Sequence, residues 1–94
     1  TGVSGEIAIM MGQMLSQMGK GHQIIAITHL PQIAAAGSKH WFVYKDHAGS
    51  KTVSNLRELI EEERVEEIAK MIGGSQGYVE LKENVRKLIQ ANHV

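Results

Sequence analysis

Apolar residues recur at three- and four-residue steps over residues 4–18, where Ile7, Met10, Met11, Met14, Leu15 and Met18 fall on one side of a helix. Ser4 is placed to cap that helix, Glu6 sits in the first turn where the dipole favours an acid, and Gly19 and Gly21 stop it. The pattern then changes. Ile24, Ile25, Ala26 and Ile27 run without polar alternation, which predicts a parallel-type strand, buried on both faces, over residues 22–28. A short helix is expected over 30–36, after Pro31 and closed by Gly37. Two β-rich runs, 40–45 and 51–57, flank a Gly-containing loop and predict an antiparallel hairpin at a sheet edge. The helical period returns over 61–72, with Val65, Ile68, Ala69 and Ile72 on one stripe, Glu66 four residues before Lys70, and Gly73-Gly74 as the stop. Ser75 is placed to cap a last helix, about 77–91, that brings Tyr78, Leu81, Val85, Leu88 and Ile89 together.

Helix, parallel-type strand, short helix, hairpin, helix, helix is the order of the back half of an α/β layered domain. A parallel strand needs parallel neighbours, and the chain offers one clear candidate, so a sheet edge and helix faces are expected to need covering. The chain opens at Thr1 in a Gly-Val-Ser-Gly loop with no element before it, which predicts a piece of something longer.

Composition narrows the function classes. Ninety-four residues make at most one domain, burying only about 60–70% of the unfolded surface. A hydrophobic share of 43% with 21% charged residues is a globular profile. Ten basic residues balance ten acidic ones, so the whole-chain charge announces neither a nucleic-acid surface nor an anionic membrane. The lack of cysteine excludes a disulfide framework and fits a reducing cytosol. No run approaches the roughly 18 apolar residues of a membrane span, and a soluble, intracellular chain is expected.

The candidate chemistry begins with His29, at the carboxyl end of the expected strand, because ligand sites of open α/β sheets lie outside the carboxyl ends of strands. Its imidazole could donate to a phosphate oxygen or orient a water; alternatively it only supports the turn between Thr28 and Pro31. Thr1-Gly2-Val3-Ser4-Gly5 could present backbone N–H groups to an anion or a second chain, or could be a simple capped helix start. His22 and His29 would be about 23 Å apart along an extended strand, too far to share a metal. No His-x-x-x-His pair supports zinc. Met10, Met11, Met14 and Met18 read as a packed core stripe. The run Glu58, Glu61, Glu62, Glu63, Glu66 and Glu67 reads as a solvated helix start. No Gly-x-x-x-x-Gly-Lys-Ser/Thr occurs, so the chain has no phosphate-cradling loop of its own.

Three stretches nonetheless coincide with known motifs. "TGVSG" resembles the D-loop that follows the Walker B acids in SMC-like ABC ATPases. "ITHLPQIAAAG" resembles the switch-histidine segment of the RecN family of bacterial DNA repair proteins, and "EEERVEEIAKMIGG" resembles a segment near that family's carboxyl end. The resemblance covers essentially the whole chain. It implies an α/β fold in which residues 1–94 are the carboxyl-terminal fragment of a single P-loop (ABC/SMC-type) ATPase head. It also implies a cohesin-like ATPase of DNA double-strand break repair and recombination, cytoplasmic and nucleoid-associated, that uses ATP and Mg²⁺ in the full-length protein. The implied partners are the amino-terminal head segment, a second head in an ATP-dependent dimer, and DNA, with no membrane. Residue by residue, His29 matches the catalytic switch histidine that senses the γ-phosphate. Gly2, Val3, Ser4 and Gly5 match the D-loop at the dimer nucleotide site, and no metal ligand is carried over. Walker A, the signature motif and Walker B would precede Thr1, so the fragment is expected to be inactive alone and to bind no nucleotide tightly. Two alternatives stand beside this reading: a non-enzymatic protein-interaction module in which His29 is structural, and a head fragment of another SMC-related or transporter ATPase.

Overall fold

The computed structural model describes residues 5–47, 49–73 and 78–93. The chain runs through α1 (Gly5–Met18), α2 (Pro31–Ala36), β1 (His40–Asp46), β2 (Val53–Leu59), α3 (Glu61–Ile72) and α4 (Tyr78–Asn92). Ser4, Gly74 and Ser75, assigned above to caps and stops, lie outside the described residues, as does the side chain of Tyr78.

The core lies where α2, α3 and α4 meet. Ala35, Val65, Ile68, Ala69, Leu81 and Val85 are buried together, with Ala34, Met71, Leu88 and Ile89 packed around them. Three of the four residues of the α3 stripe are therefore internal, while Ile72 is exposed. Gly73 ends α3 at φ 69°, a conformation that glycine adopts without strain, and its N–H donates to the Ala69 carbonyl. Glu66 reaches across to Lys82 of α4, 3.5 Å away, rather than along its own helix to Lys70. With Lys82 and Arg86 also on Glu62, at 2.8 and 2.7 Å, these exposed ion pairs align α4 on α3.

The hairpin forms as expected, shifted by two residues at its second strand. Val43 faces Leu56 and Trp41 faces Glu58 in an antiparallel register, and Leu59 is the strand residue buried most deeply. Only Ile60 separates β2 from α3, and Glu61 takes φ 49° as the chain turns.

Two expectations need correction. Residues 22–28 form no strand: among the described residues the one sheet is the β1–β2 pair, and Ile25 and Ile27 are 85% and 102% exposed. A strand is held by ladder bonds to a neighbour, and this segment finds none, so its apolar run stands in solvent. The methionine stripe is not a core either. Met10, Met14 and Met18 are exposed, and α1 instead buries Ala8 and Gly12. An ideal Cβ on Gly12 would lie 3.0 Å from the Gln32 carbonyl oxygen and 3.2 Å from the Ala36 Cβ. The missing side chain is what lets α1 come this close to α2, and the close approach turns the larger apolar residues outward.

Candidate functional site

The site is organised by α2, which is only six residues long and could not persist alone. Its start is built from the preceding residues. Pro31 occupies the first turn, where its missing N–H is no loss. Leu30 takes an extended conformation and its carbonyl accepts from the N–H groups of Ile33 and Ala34 at 3.1 and 3.0 Å. The Leu30 N–H donates in turn to Thr28 Oγ1 at 2.9 Å, a side-chain turn that spans His29. His29 is consequently exposed at the entrance to α2, between a half-buried threonine and a half-buried leucine.

The far end of α2 is held from a distance. No basic residue stands in its own last turn, and Gly37 continues at φ −68° and ψ 146° instead of curling back to cap the carbonyls. Arg64, the fourth residue of α3, fills that need: its Nη2 donates to the carbonyls of Ala34 at 3.0 Å, Ala35 at 3.3 Å and Gly37 at 2.5 Å. Cations stabilise helix carboxyl ends, where carbonyls lack internal partners and the dipole is negative. Burial pushes the Arg64 guanidinium down from its ordinary pKa, which still leaves an arginine charged. The neighbouring His40 imidazole is pushed down as well, by burial first and by the Arg64 charge second, with Glu67 partly opposing.

The residues singled out by motif are thus distributed unequally. His29 is exposed two residues before a short, externally braced helix. Gly5, last residue of the opening motif, stands beside the same helix: an ideal Cβ there would lie 3.6 Å from Gln32 Nε2. Gly2, Val3 and Ser4 lie outside the described residues. Among the described residues no group of three His, Asp or Glu side chains could hold a metal, and no helix is long and apolar enough to cross a membrane. Two shallow concavities, of about 180 and 340 Å³, flank α3 and neither is lined by His29. Arg64 was not among the residues singled out. Its sequence signal is indirect: a short helix without its own carboxyl-terminal cation needs a donor from elsewhere.

No protein-family model matches the chain. Individual relatives do. It is 37% identical over 89 residues to the DNA repair protein RecN of Halalkalibacterium halodurans, 36% over 90 residues to that of Vibrio cholerae, and 42% over 90 residues to that of Xylella fastidiosa strain 9a5c. These matches cover 95%, 96% and 96% of the chain, which spans about 16% of the length of each relative. The arrangement around α2 joins the two most distinctive of the matching stretches, "ITHLPQIAAAG" and "EEERVEEIAKMIGG", through Arg64. The chain belongs to the RecN family, as a sequence corresponding to a segment from that protein's carboxyl-terminal part.

Proposed function

We propose that the chain acts as the carboxyl-terminal part of an ATP-hydrolysing head in a RecN-type protein of DNA double-strand break repair, with His29 as the group that senses the γ-phosphate. One observation carries this reading: the His29 imidazole is exposed at the entrance to a braced helix, and the end of the D-loop-like segment, at Gly5, approaches that same helix at Gln32. An imidazole N–H placed in this way can donate to an oxygen of the transferring phosphoryl group, where negative charge must be accommodated. Gly2, Val3, Ser4 and Gly5 would meet the second head.

On this reading the nucleotide is held largely by the rest of the head. There is no phosphate-cradling Gly-x-x-x-x-Gly-Lys-Ser/Thr loop in the sequence. ATP and Mg²⁺ are therefore assigned to the remainder of the head, and this chain contributes a hydrogen-bond donor and a contact surface. The exposure of Ile25 and Ile27 on an unpaired segment supports a place for that remainder to bind, because theirs is the apolar run that a parallel sheet buries on both faces. DNA is then a partner of the full-length, nucleoid-associated protein.

The test is steady-state ATP hydrolysis by the full-length protein. His29→Ala is expected to lower kcat by about a hundredfold, the scale of losing one transition-state donor, with the thermal midpoint nearly unchanged because the side chain is exposed. Unchanged turnover would leave His29 a structural turn residue and favour a non-enzymatic interaction module.

A further inference from the structure

We infer that Arg64 is a positioning residue for His29, acting through α2; the inference rests on the ATPase reading above. The geometry is specific. A single guanidinium nitrogen of α3 gathers three carbonyl oxygens at the carboxyl end of α2, those of Ala34, Ala35 and Gly37. The opposite end of α2, six residues away, begins two positions after His29. The helix has no basic residue in its own last turn and no left-handed cap.

Beyond the packing of Ala35 in the core, α2 has two further constraints on its placement. One is lateral, the close approach of α1 at Gly12. The other is axial, the grip of Arg64. Val65, Ile68 and Ala69 root α3 in the core, so the guanidinium ties the entrance of α2 to the packed position of α3. A shift of about 1 Å at a group that must meet a transferring phosphoryl oxygen is enough to slow the chemistry by up to a hundredfold. Lysine cannot substitute: an ammonium is a compact, strongly hydrated charge on a flexible stem, without the planar, delocalised group that Arg64 buries beside these carbonyls.

The experiment uses the full-length protein and three variants, Arg64→Lys, His29→Ala and the double variant. ATP turnover is measured for each, and hydrogen exchange is followed by mass spectrometry. Arg64→Lys is expected to lower kcat about tenfold with KM unchanged and to speed exchange in peptides covering 30–37, while peptides covering 65–72 and 81–89 keep their protection. The double variant is expected to turn over no more slowly than His29→Ala alone, because a residue that acts only through His29 has nothing left to position. An equal further loss in the His29→Ala background would make Arg64 a general structural contact and overturn the inference, as would lost protection across 65–72. If His29→Ala slows turnover and Arg64→Lys does not, the inference falls and the ATPase reading stands. If His29→Ala has no effect, both fall.

Discussion

At the scale of single residues, the structure separates groups that act by position from groups that act by charge state. His40 is the clearest case of the second kind. Burial, with the Arg64 guanidinium adding to it and the Glu67 carboxylate partly opposing, holds its imidazole below the ordinary value of 6.5. The unfolded chain therefore binds a proton that the folded chain resists. The stability associated with neutral His40 is complete above about pH 6.5 and is lost as pH falls below that value toward the lowered folded pKa. Glu62 and Glu63 are shifted the other way, held below the ordinary 4.5 by hydrogen bonds from Lys82 and Arg86 and from Arg57 respectively. Their contribution is lost only at lower pH, so the two windows separate. The urea midpoint is accordingly expected to decline between pH 7 and 5 in the native sequence and to lose that part of its slope in His40→Gln. A slope that survives the substitution would assign the titration to another group. His29 was conspicuous in the sequence as a histidine at the end of an apolar run, but the structure places it exposed before α2 with no strand leading into it. Arg64 was not conspicuous, because its partners are backbone carbonyls about thirty positions away, and carbonyls leave no mark on a residue string.

Among the elements, helices and hairpin were readable wherever a segment's own pattern decides its state. α3 ends where its period and Gly73 place the end, and the hairpin needs only two β-rich runs and a turn. The parallel-type strand was misread for the complementary reason. Ile24–Ile27 carries the composition of a buried strand, but composition cannot supply the neighbour whose ladder makes it one. The methionine face of α1 failed in a different way. Periodicity identified an apolar side correctly and could not say that a smaller side, Ala8 and Gly12, would win the contact with α2. Close packing of helix backbones favours small residues, and Gly12 sits against the α2 backbone itself. Gly12→Ala is therefore expected to destabilise the chain, although alanine is the better helix former by about 1 kcal/mol. Crowding of the Gln32 carbonyl and Ala36 costs about 2 kcal/mol, leaving a net loss of about 1 kcal/mol, seen as a thermal midpoint lower by about 4–8 °C. A raised midpoint would mean that α2 yields freely, and would weaken the lateral constraint on His29 as well.

For the whole molecule the governing fact is how little of its apolar surface is internal. The Cα radius of gyration is 14.6 Å, against about 12 Å for a compact domain of this length. Ile25, Ile27, Trp41, Val43 and Leu56 all face solvent. A surface of this kind marks an interaction site, and the proposed remainder of an ATPase head is the occupant that would use the Ile24–Ile27 run as a strand. Ile27→Glu discriminates. In the chain alone the side chain touches nothing, so the thermal midpoint is expected to move little. Association with a separately produced amino-terminal head segment is expected to be lost, because a carboxylate would enter a buried sheet. Retained binding would place the contact elsewhere, on the hairpin face. The same exposed run has a consequence for how such a protein is made. An uncharged stretch rich in β-branched isoleucine is the kind of segment that seeds cross-β aggregation when left unpaired. On the proposed head reading, with the run synthesised after the rest of the head, the strands that would pair with it have already left the ribosome when it emerges. The sticky segment is then exposed for seconds, at residue-addition rates of about 5–20 per second, and production of these 94 residues by themselves removes that protection.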